Sequence, residues 1–453
     1  MRLRVDYSSW RCFAAALRAE QDLETAGVVL AERVSEDVLV ARVLSQVPAT
    51  GYLIREHDRL RIDPVALNRL VRPARDRGWS IFTVHTHPGA DTAWFSMADD
   101  VGDRRLMPSL HHQVEGPHGS LVLAGRSDHV VGRSFGDDGT VEPVHLVEVG
   151  PALNWPGGVS KPPGRSGVFH RQLLALGAYG QSLLRQLRIG VVGLGGTGSA
   201  CLVQLAHLGV GGLVLVDGDV VELSNISRIL GARLSDVGQP KVTVAARYVE
   251  ELGLETTVET HEQHVGDGLR AEALASCDVV LSCVDRHSPR ALLNRLAYNA
   301  LIPVIDMGSA FRVNHNDEVM AAAGRVVVVG PGRSCLACWG HIDPDRLREE
   351  SLSPEEYAAQ RRQGYVEGAQ IGQPSVVAFN TAIAGAAVIE FLRLVTRFAG
   401  TEDPPNRLAF DFTAGLVRRN ALATIGGCRV CSARDLVGAE VRAQDRDPPG
   451  LGS

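Results

Sequence analysis

Residues 188–198 read RIGVVGLGGTG, and this stretch decides the fold of the second half of the chain. The apolar segment Arg188–Val192 predicts a buried strand, and a helical stretch (SACLVQLAHLGV) follows the glycines. Backbone N–H groups and the positive end of that helix then face one spot, which favours a bound phosphate. The glycines predicted to surround this phosphate are Gly193, Gly195, Gly196 and Gly198.

Four residues after the glycine loop indicate what the phosphate belongs to. Asp217 lies about 20 positions on, where a carboxylate contacts ribose hydroxyls in dinucleotide-binding folds. Arg228 and Lys241 supply positive charge, which a triphosphate that loses pyrophosphate needs more than a dinucleotide does. Asp285 ends the strand-like segment CDVVLSCVD and can hold Mg²⁺. The pattern favours nucleotidyl transfer, with a dinucleotide oxidoreductase as the alternative.

From about Phe169 to Ser432 the chain resembles the ThiF/MoeB family, the adenylyltransferase relatives of ubiquitin-activating enzymes. The motifs that carry the resemblance are His170-Arg171-Gln172, Gly193 to Gly198, Val216-Asp217-Gly218-Asp219, Ser224-Asn225, Arg228, Gly238-Gln239-Pro240-Lys241 and Cys283-Val284-Asp285. The resemblance implies ATP and Mg²⁺ as cofactors, bound by the glycine loop and by Asp217, Asp219, Asn225, Arg228, Lys241 and Asp285. It also implies a homodimer, in which Arg171 reaches the nucleotide pocket of the partner subunit.

Two C-x-x-C pairs occur in this half, Cys335/Cys338 and Cys428/Cys431. Four thiolates complete the tetrahedral shell of a structural zinc and leave no position open for a substrate. The ThiF/MoeB family carries the same pairing. We therefore expect a structural Zn²⁺ here, with four unrelated buried cysteines as the alternative.

A nucleophilic cysteine is absent from the segment that follows the first pair. Ubiquitin-activating enzymes and some sulfur-carrier activators keep such a cysteine there, whereas residues 341–374 contain none. Cys201, Cys277 and Cys283 lie in apolar segments and are interpreted as small core residues. This absence predicts that an acyl adenylate passes directly to a separate acceptor, without a thioester on this chain.

In the first half, residues 80–84 (SIFTV) predict a buried strand that ends at the motif His85-Thr-His87-Pro. Alternation along the strand places both imidazoles on one side. Asp99 follows behind a Gly/Ala/Asp loop and can fold back as a third ligand, the number that catalytic zinc uses. Ser96, three residues before Asp99, is a candidate donor to a developing oxyanion. Two histidines at a strand end that bind no metal are the alternative.

Glu24 precedes the apolar run AGVVL and is the candidate base that takes a proton from water. Glu20 competes with Glu24, but no such run follows it directly. Residues 23–125 resemble the JAMM (JAB/MPN) zinc isopeptidases, although the loop before the third ligand is one residue longer than usual. The resemblance implies catalytic Zn²⁺ on His85, His87 and Asp99, Glu24 as general acid and base, and Ser96 as the residue that steadies the tetrahedral intermediate.

The segment of residues 151–167 (PALNWPGGVSKPPGRSG) crowds Pro, Gly and Ser together and predicts a linker. It separates a JAMM/JAB metalloprotease-like domain at residues 1–150 from a ThiF/MoeB-like domain at residues 168–433, and residues 434–453 are expected to form a flexible tail. Both domains are predicted to be α/β. The first is JAB/MPN-like, and the second is a Rossmann-like, mostly parallel sheet.

Composition limits the classes of partner. The chain has 453 residues with 46 basic and 52 acidic side chains, so its net charge of −6 offers no global positive field for nucleic acid or an anionic membrane. The longest apolar tract, residues 375–395, contains Asn380, Glu390 and Arg393 and is interpreted as a buried helix rather than a membrane span. With eight cysteines and no N-terminal apolar stretch typical of a secretory signal, a cytoplasmic location is expected.

Both families act on the flexible C-terminal tail of a ubiquitin-like protein, which usually ends in Gly-Gly. The sequence therefore predicts a bifunctional bacterial enzyme, in which a zinc-dependent peptidase trims or deconjugates this protein and an adenylyltransferase activates its terminal glycine. The pathway is either antiphage defence, with a separate conjugating enzyme, or sulfur-carrier chemistry in biosynthesis. The alternative to this bifunctional enzyme is an isopeptidase whose ThiF-like domain serves only as a dimerising scaffold.

Overall fold

The computed structural model describes residues 1–159, 167–266, 271–314, 316, 318–353, 355–357, 374–400, 405–432 and 440–442. The chain divides into two compact units. One contains residues 1–158 and the strand at 440–442, and the other contains residues 159–436. Each unit is built on its own large sheet with helices packed on it, so the predicted α/β class is confirmed for both.

The N-terminal unit has strands β1 (Arg2–Asp6), β2 (Ala26–Ser35), β3 (Val38–Gln46), β4 (Tyr52–Arg55), β5 (Leu60–Ile62), β6 (Ser80–His87), β7 (His118–Ala124), β8 (Val130–Phe135), β9 (Val141–Val149), β10 (Leu153–Asn154) and β19 (Glu440–Arg442). The main sheet runs in the order β1-β3-β2-β6-β7-β8-β9-β10, with β19 beside β3, while β4 pairs with β5. Because β1 pairs in parallel with both β3 and β9, the main sheet closes on itself.

The helices of this unit are α1 (Tyr7–Leu17), α2 (Pro64–Arg77) and α3 (Met97–His111). α1 begins at Asp6, whose carboxylate accepts a hydrogen bond from a backbone N–H of the first turn. It buries Trp10 and Phe13 against one face of the sheet. α2 and α3 bury Leu70 and Met107 among the apolar side chains of the other face. Both faces of β6 are therefore covered, and only its end is free to carry functional side chains.

Two segments differ from the sequence-based boundaries. Leu153–Asn154 pairs with β9 and Trp155 is buried, so the first part of the predicted linker (151–167) belongs to the N-terminal unit. In the predicted flexible tail (434–453), Glu440–Arg442 instead forms a strand parallel to β3. That edge of β3 lies beyond its pairing with β1, so its backbone groups are open to a further strand. Residues 160–166, 433–439 and 443–453 lie outside the described residues.

The strands of the C-terminal unit are β11 (Arg188–Val192), β12 (Gly212–Val216), β13 (Thr257–His261), β14 (Val279–Ser282), β15 (Val304–Val313), β16 (Val319–Val329), β17 (Arg407–Asp411) and β18 (Leu416–Asn420). They form one sheet in the order β13-β12-β11-β14-β15-β16-β17-β18. The first five strands are parallel, and the last three continue the sheet antiparallel. Its helices are α4 (His170–Gln186), α5 (Gly196–Leu208), α6 (Lys241–Leu252), α7 (Ala271–Ala275), α8 (His287–Asn299), α9 (Pro344–Glu350) and α10 (Val377–Thr396).

The central strands β11 and β12 are buried along almost their whole length, as parallel strands covered on both faces must be. The carboxyl ends of β11, β12 and β14 lie side by side, so the loops that follow them meet at one edge of the sheet. In open α/β sheets this edge is where ligands bind. The fold therefore brings together the loops that carry the predicted nucleotide-binding residues.

Helix α10 is long and apolar enough to cross a membrane by length and composition, and is alone in this among the helices of the described ranges. It packs against α5 and β15, and its polar residues Asn380 and Glu390 are buried. Glu390 forms an ion pair with Arg419 of β18. These contacts are those of a core helix.

Candidate functional sites

His85, His87 and Asp99 come together where β6 ends and α3 begins. His85 Nε2 lies 3.2 Å from His87 Nε2 and 3.0 Å from one oxygen of Asp99, and His87 Nε2 lies 3.6 Å from the other oxygen. Ligand atoms at about 2.0 Å from a tetrahedral zinc lie about 3.3 Å apart, so these separations fit a single ion. Two imidazoles and a carboxylate are a donor set for catalytic zinc, with the fourth position left open.

The first turn of α3 fixes Asp99. Ser96 is the N-cap residue, and its Oγ accepts a hydrogen bond from the Asp99 N–H at 3.2 Å. In return, the Ser96 N–H donates to Asp99 Oδ2 at 2.7 Å, which completes a capping box. The Ser96 hydroxyl keeps its own hydrogen for another acceptor. Its predicted role at an oxyanion is therefore compatible with capping and stays a prediction.

The charge state of Asp99 also suits a metal. Burial raises the pKa of its carboxyl, but the hydrogen bonds with His85 and His87 together lower it by more. The net result is a pKa well below the usual range. Asp99 is therefore ionised at neutral pH. Metal ligands must be deprotonated, and this carboxylate meets that requirement without the metal.

Glu24 lies just before β2, the strand beside β6. The Thr25 N–H donates to Thr86 Oγ1 and the Thr86 N–H donates to the Thr25 carbonyl, both at 3.0 Å, which brings Glu24 to the histidine end of β6. Burial raises the pKa of the Glu24 carboxyl, and the imidazoles of His85 and His87 lower it by less. A carboxyl with a raised pKa is better matched to proton transfer near neutral pH.

Arg55, which no sequence motif marks, contacts the two candidate glutamates differently. It pairs with Glu20 Oε1 at 3.1 Å, so the Glu20 carboxylate is engaged at an exposed position. It also donates to the Glu24 carbonyl at 3.2 Å and to Thr25 Oγ1 at 2.7 Å, which fixes the backbone before β2. No local pattern could have revealed this contact, because 31 positions separate Arg55 from Glu24.

The glycine loop connects β11 to α5. A Cβ atom at Gly198 would lie 1.8 Å from the carbonyl oxygen of Gly193, so only glycine permits this tight turn. Gly195 is the N-cap residue, and the 13-residue helix begins at Gly196. The loop therefore presents backbone N–H groups and the positive helix end at one place, which is an anion-binding arrangement.

Asp217 follows β12 and lies against the glycine loop. Its Oδ2 accepts a hydrogen bond from the Leu194 N–H at 2.6 Å, and its Oδ1 accepts one from the Asp219 N–H at 2.8 Å. Lys241 Nζ lies 2.7 Å from Asp219 Oδ2 and 3.9 Å from Asp217 Oδ1. Burial raises the pKa of Asp217, and Lys241 and the two N–H groups lower it by less. The structure thus brings three predicted residues to the loop.

Arg228 and one further residue lie beside the start of α5, and Asn225 lies in the same turn as Ser224, which Arg228 contacts. The Arg228 guanidinium donates to the Ser224 carbonyl at 2.8 Å, and Asn225 is buried with its amide donating to Ser224 Oγ at 3.2 Å. A Cβ at Gly196 would lie 3.5 Å from Arg228 Cδ and only 2.1 Å from Asn380 Nδ2. Asn380 lies in the first turn of α10, beside the glycine loop, and is not among the site residues predicted from the sequence. A polar residue inside an apolar tract was its sequence signal.

Asp285 lies exposed just after β14, and two residues that no sequence motif marks, Arg290 and Asp306, hold the turn before it. The Arg290 guanidinium donates to the Val284 carbonyl at 2.7 Å and to Asp306 Oδ1 at 3.0 Å. Asp306 is fully buried on β15. Arg171 is exposed in the first turn of α4, and its reach into a partner subunit stays a prediction.

The four cysteines of the C-x-x-C pairs form a compact cluster. The Sγ atoms are 3.7 Å apart for Cys335 and Cys338, 3.7 Å for Cys335 and Cys428, and 3.5 Å for Cys338 and Cys431. Bonds of about 2.3 Å to a tetrahedral zinc place sulfur atoms about 3.8 Å apart. The cluster therefore fits a structural zinc with no position left for a substrate.

The other cysteines of this unit have the surroundings of core residues. Cys201 and Cys277 are buried, and Cys283 is half-buried. A hydrogen bond with Cys201, together with burial, raises the pKa of the Cys283 thiol. Because the thiolate is the reactive form, Cys283 is not prepared as a nucleophile at neutral pH.

The fold and these sites define an α/β domain with an anion-binding glycine loop, preceded by an α/β domain with a cluster of two histidines and an aspartate that fits a metal ion. The ThiF family model matches residues 169–425, which is more than half of the chain. The chain therefore belongs to the ThiF family. The model of prokaryotic homologues of the JAB domain matches residues 8–135. Both resemblances seen in the sequence are thereby confirmed.

Curated relatives match this chain over part of its length. An adenylyltransferase and sulfurtransferase uba4 of Aspergillus niger is 28% identical over 270 residues, 58% of this chain and 52% of the relative. The SAMP-activating enzyme E1 of Haloferax volcanii is 35% identical over 163 residues, 36% and 57% of the two chains. A molybdopterin-synthase adenylyltransferase of Salmonella typhimurium is 36% identical over 147 residues, 32% and 59%. The chain thus spans less than two thirds of each of these relatives.

Solved structures resemble the chain more distantly. The structure of E. coli MccB with MccA-N7isoASN has a TM-score of 0.48 and 16% identity, and covers 60% of this chain and 75% of that chain. The structure of PaaA has a TM-score of 0.44 and 20% identity, and covers 56% and 82%. Neither likeness is strong enough to indicate a function.

Proposed function

We propose that this protein uses ATP to activate the C-terminal glycine of a ubiquitin-like or sulfur-carrier protein, and hydrolyses a peptide or isopeptide bond that follows the same tail. The observation that carries the proposal is that one chain assembles two sites of complementary chemistry. One is the His85/His87/Asp99 cluster, and the other is the glycine loop with Asp217 and Lys241. A hydrolase of this kind exposes a terminus before activation or releases it after conjugation.

In the activation step, a carboxylate oxygen of the tail attacks the α-phosphorus of ATP, and the bond to the β-phosphate breaks to release pyrophosphate. The N–H groups of the glycine loop would hold phosphate oxygens, and Asp217 would bind the ribose. Arg228 and Lys241 would offset the charge that develops on pyrophosphate. Asp285 would hold Mg²⁺, which supplies neutralising charge at the phosphates.

In the hydrolytic step, Glu24 would take a proton from the attacking water and pass it to the leaving amine as the C–N bond breaks. Zn²⁺ held by His85, His87 and Asp99 would supply a Lewis acid that polarises the carbonyl and acidifies water. The Ser96 hydroxyl would donate to the carbonyl oxygen as that oxygen becomes negative. Burial raises the pKa of Glu24, which supports its assignment as the proton acceptor.

The partners follow from the same chemistry. The acyl adenylate would pass directly to a separate acceptor, because residues 341–374 contain no cysteine. That acceptor is an amine, a sulfide or the thiol of a conjugating enzyme. We further propose a cytoplasmic homodimer formed through the ThiF-family unit, with Arg171 completing the nucleotide site of the partner subunit.

ATP–pyrophosphate exchange in the presence of a ubiquitin-like protein ending in Gly-Gly tests the activation step. We expect Asp285→Ala to reduce exchange at least about 100-fold, because charge stabilisation of the phosphates is the main catalytic contribution. Glu24→Gln is the matched control, since it lies in the other unit and should leave exchange unchanged. Cleavage of a carrier extended beyond Gly-Gly should be lost in Glu24→Gln and unchanged in Asp285→Ala. Exchange that survives Asp285→Ala would contradict the proposal.

Sulfur-carrier activation is favoured as the final pathway by two of the relatives, which are named as a sulfurtransferase and as a molybdopterin-synthase adenylyltransferase. A thiocarboxylate at the C-terminus of the carrier, formed when sulfide displaces AMP from the acyl adenylate, would identify this pathway, and an amide-linked conjugate would identify protein tagging. A wild-type protein that cleaves the extended carrier but catalyses no exchange would support the scaffold alternative instead.

A further inference from the structure

Among the buried nitrogen atoms of the C-terminal unit that have no hydrogen-bond partner in the described residues, four belong to neighbouring side chains. They are Nε of Arg325, Nε of Arg407, Nε1 of Trp339 and Nε2 of His341. Buried polar groups in proteins are nearly always paired, because an unpaired one keeps its full desolvation penalty. Several unpaired donors in one place therefore indicate a missing acceptor.

The four residues lie in one place. Arg325 of β16 is opposite Ala409 of β17 and Val327 is opposite Arg407, so the two arginines are diagonal neighbours on one face of the sheet. The Arg407 guanidinium lies over the Trp339 ring, 5.2 Å from its centroid. The Trp339 and His341 rings are stacked, with centroids 6.5 Å apart and an interplanar angle of 12°.

The charges of both arginines also act on the His341 imidazole. Burial, followed by the charges of Arg325 and Arg407, lowers the pKa of its imidazole to about 4. The ring is therefore neutral at physiological pH, and one of its two tautomers donates a hydrogen bond from Nε2. All four unpaired nitrogens can then act as donors toward a common ligand.

Positive charge is in excess at this place. Asp306 is fully buried and accepts hydrogen bonds from Arg290 and Arg325, each at 3.0 Å. Among the described residues, Arg407 has no acidic partner, so Arg290 and Arg325 share one carboxylate and the charge of Arg407 is not offset by an ion pair. An anion with several oxygen atoms would satisfy both the charge and the unpaired donors.

We propose that Arg325, Arg407, Trp339 and His341 form a binding site for a small oxyanion, which is either a phosphate or a carboxylate. The site is separate from the glycine loop and does not depend on the proposed function. It is connected to the turn before Asp285, since Arg325 pairs with Asp306, Asp306 pairs with Arg290, and Arg290 donates to the Val284 carbonyl at 2.7 Å. An anion bound here is therefore placed to influence the position of Asp285.

Isothermal titration calorimetry of the full-length, zinc-loaded protein tests the site. The ligands are inorganic phosphate, a short peptide ending in Gly-Gly carboxylate, and the same peptide as its C-terminal amide. Trp339→Phe removes one donor and keeps the ring, and it should weaken binding roughly 10- to 100-fold, as expected for a lost hydrogen bond to a charged group. Arg407→Gln should weaken binding by at least as much.

Two controls separate this site from others. Arg393→Gln changes an arginine of α10 whose Nε also lacks a hydrogen-bond partner but already faces Glu390 at 3.7 Å, so it should leave affinity unchanged. Lys241→Ala should weaken any anion bound at the glycine loop and leave this site unaffected. Circular dichroism of each variant checks that the fold is retained.

Phosphate binding that Trp339→Phe weakens identifies a free anion as the ligand, and binding of the carboxylate peptide but not of its amide identifies a chain terminus. Either result supports the site. The proposal is overturned if the wild-type protein binds neither ligand. It is equally overturned if Trp339→Phe and Arg407→Gln bind as tightly as Arg393→Gln, or if Lys241→Ala abolishes the binding.

Discussion

The two clusters that fit zinc are built in opposite ways. His85, His87 and Asp99 come from one strand end and the helix cap that follows it, whereas 93 positions separate Cys335 from its neighbour Cys428. The first cluster has three donors, an open position and Glu24 beside it. The second has four thiols and no open position.

This difference shows that the number of donors and their separation along the chain determine whether a metal serves catalysis or stabilises the fold. A site made from adjacent elements forms when those elements form, and the metal adds little to folding, so its open position is available for chemistry. A site that joins distant segments closes a long loop, and its binding free energy becomes folding free energy. The largest predicted effects are therefore on the cysteine cluster.

Cys428→Ser should have the largest effect. It removes one of four thiolates, and structural zinc contributes an apparent binding free energy of about 10 to 16 kcal/mol at neutral pH. We expect loss of one zinc ion per chain, unfolding of the C-terminal unit and loss of pyrophosphate exchange. Metal analysis and thermal unfolding measure this, with Cys12→Ser as the control because Cys12 is exposed and outside both clusters. If Cys428→Ser keeps its full zinc content and unfolds at the same temperature as the wild type, the zinc has no structural role.

Asp99→Asn should release the other zinc ion and leave the fold largely intact. Peptidase activity should fall by at least about 100-fold, since even the loss of a residue that supports a metal ligand costs 10- to 100-fold. The neighbouring Asp100→Asn is the control, because Asp100 pairs with Arg133 rather than with the histidines. If Asp99→Asn lowers the melting temperature as much as Cys428→Ser does, the two clusters do not differ in the way described here.

Glu24→Gln should keep the zinc ion and lose about 10²- to 10⁴-fold in peptidase rate, the range for general acid and base catalysis. Glu20→Gln is the matched control and should have little effect, because that carboxylate pairs with Arg55. Burial raises the pKa of Glu24, and the base must be ionised. Wild-type activity should therefore fall on acidification at a pH above the ordinary pKa of glutamate, as pH–rate profiles can show.

Gly196→Ala should have the smallest effect. Its Cβ would lie 2.1 Å from Asn380 Nδ2, and such overpacking costs about 1 to 3 kcal/mol. We expect a lower melting temperature and weaker ATP binding, both measurable by thermal shift. Asn380→Ala in the same chain should restore part of each loss because it removes the overlapping amide. A double variant no better than Gly196→Ala would show that Asn380 does not set the requirement for glycine.

Short sequence motifs predicted the centres of both sites. The H-x-H strand end, the Ser96–Asp99 spacing and the glycine loop each depend on neighbours within about a dozen positions, so their geometry is already contained in local sequence. Arg55, Asp306 and Asn380 could not be found in this way. Their contacts cross from one element to another. A lone arginine or aspartate has no pattern that marks it, and Asn380 is marked only as a polar residue inside an apolar tract.

The sequence by itself determined the α/β class, the two families and the metal-type and phosphate-type motifs, because hydrophobic period and residue spacing act over one or two elements. Only the tertiary structure decided that Glu20 pairs with Arg55, that Asn380 leaves no room for a Cβ atom at Gly196, and that four side chains with unpaired donors are neighbours. These features depend on strand order and register, which place residues far apart in the chain on the same face of a sheet.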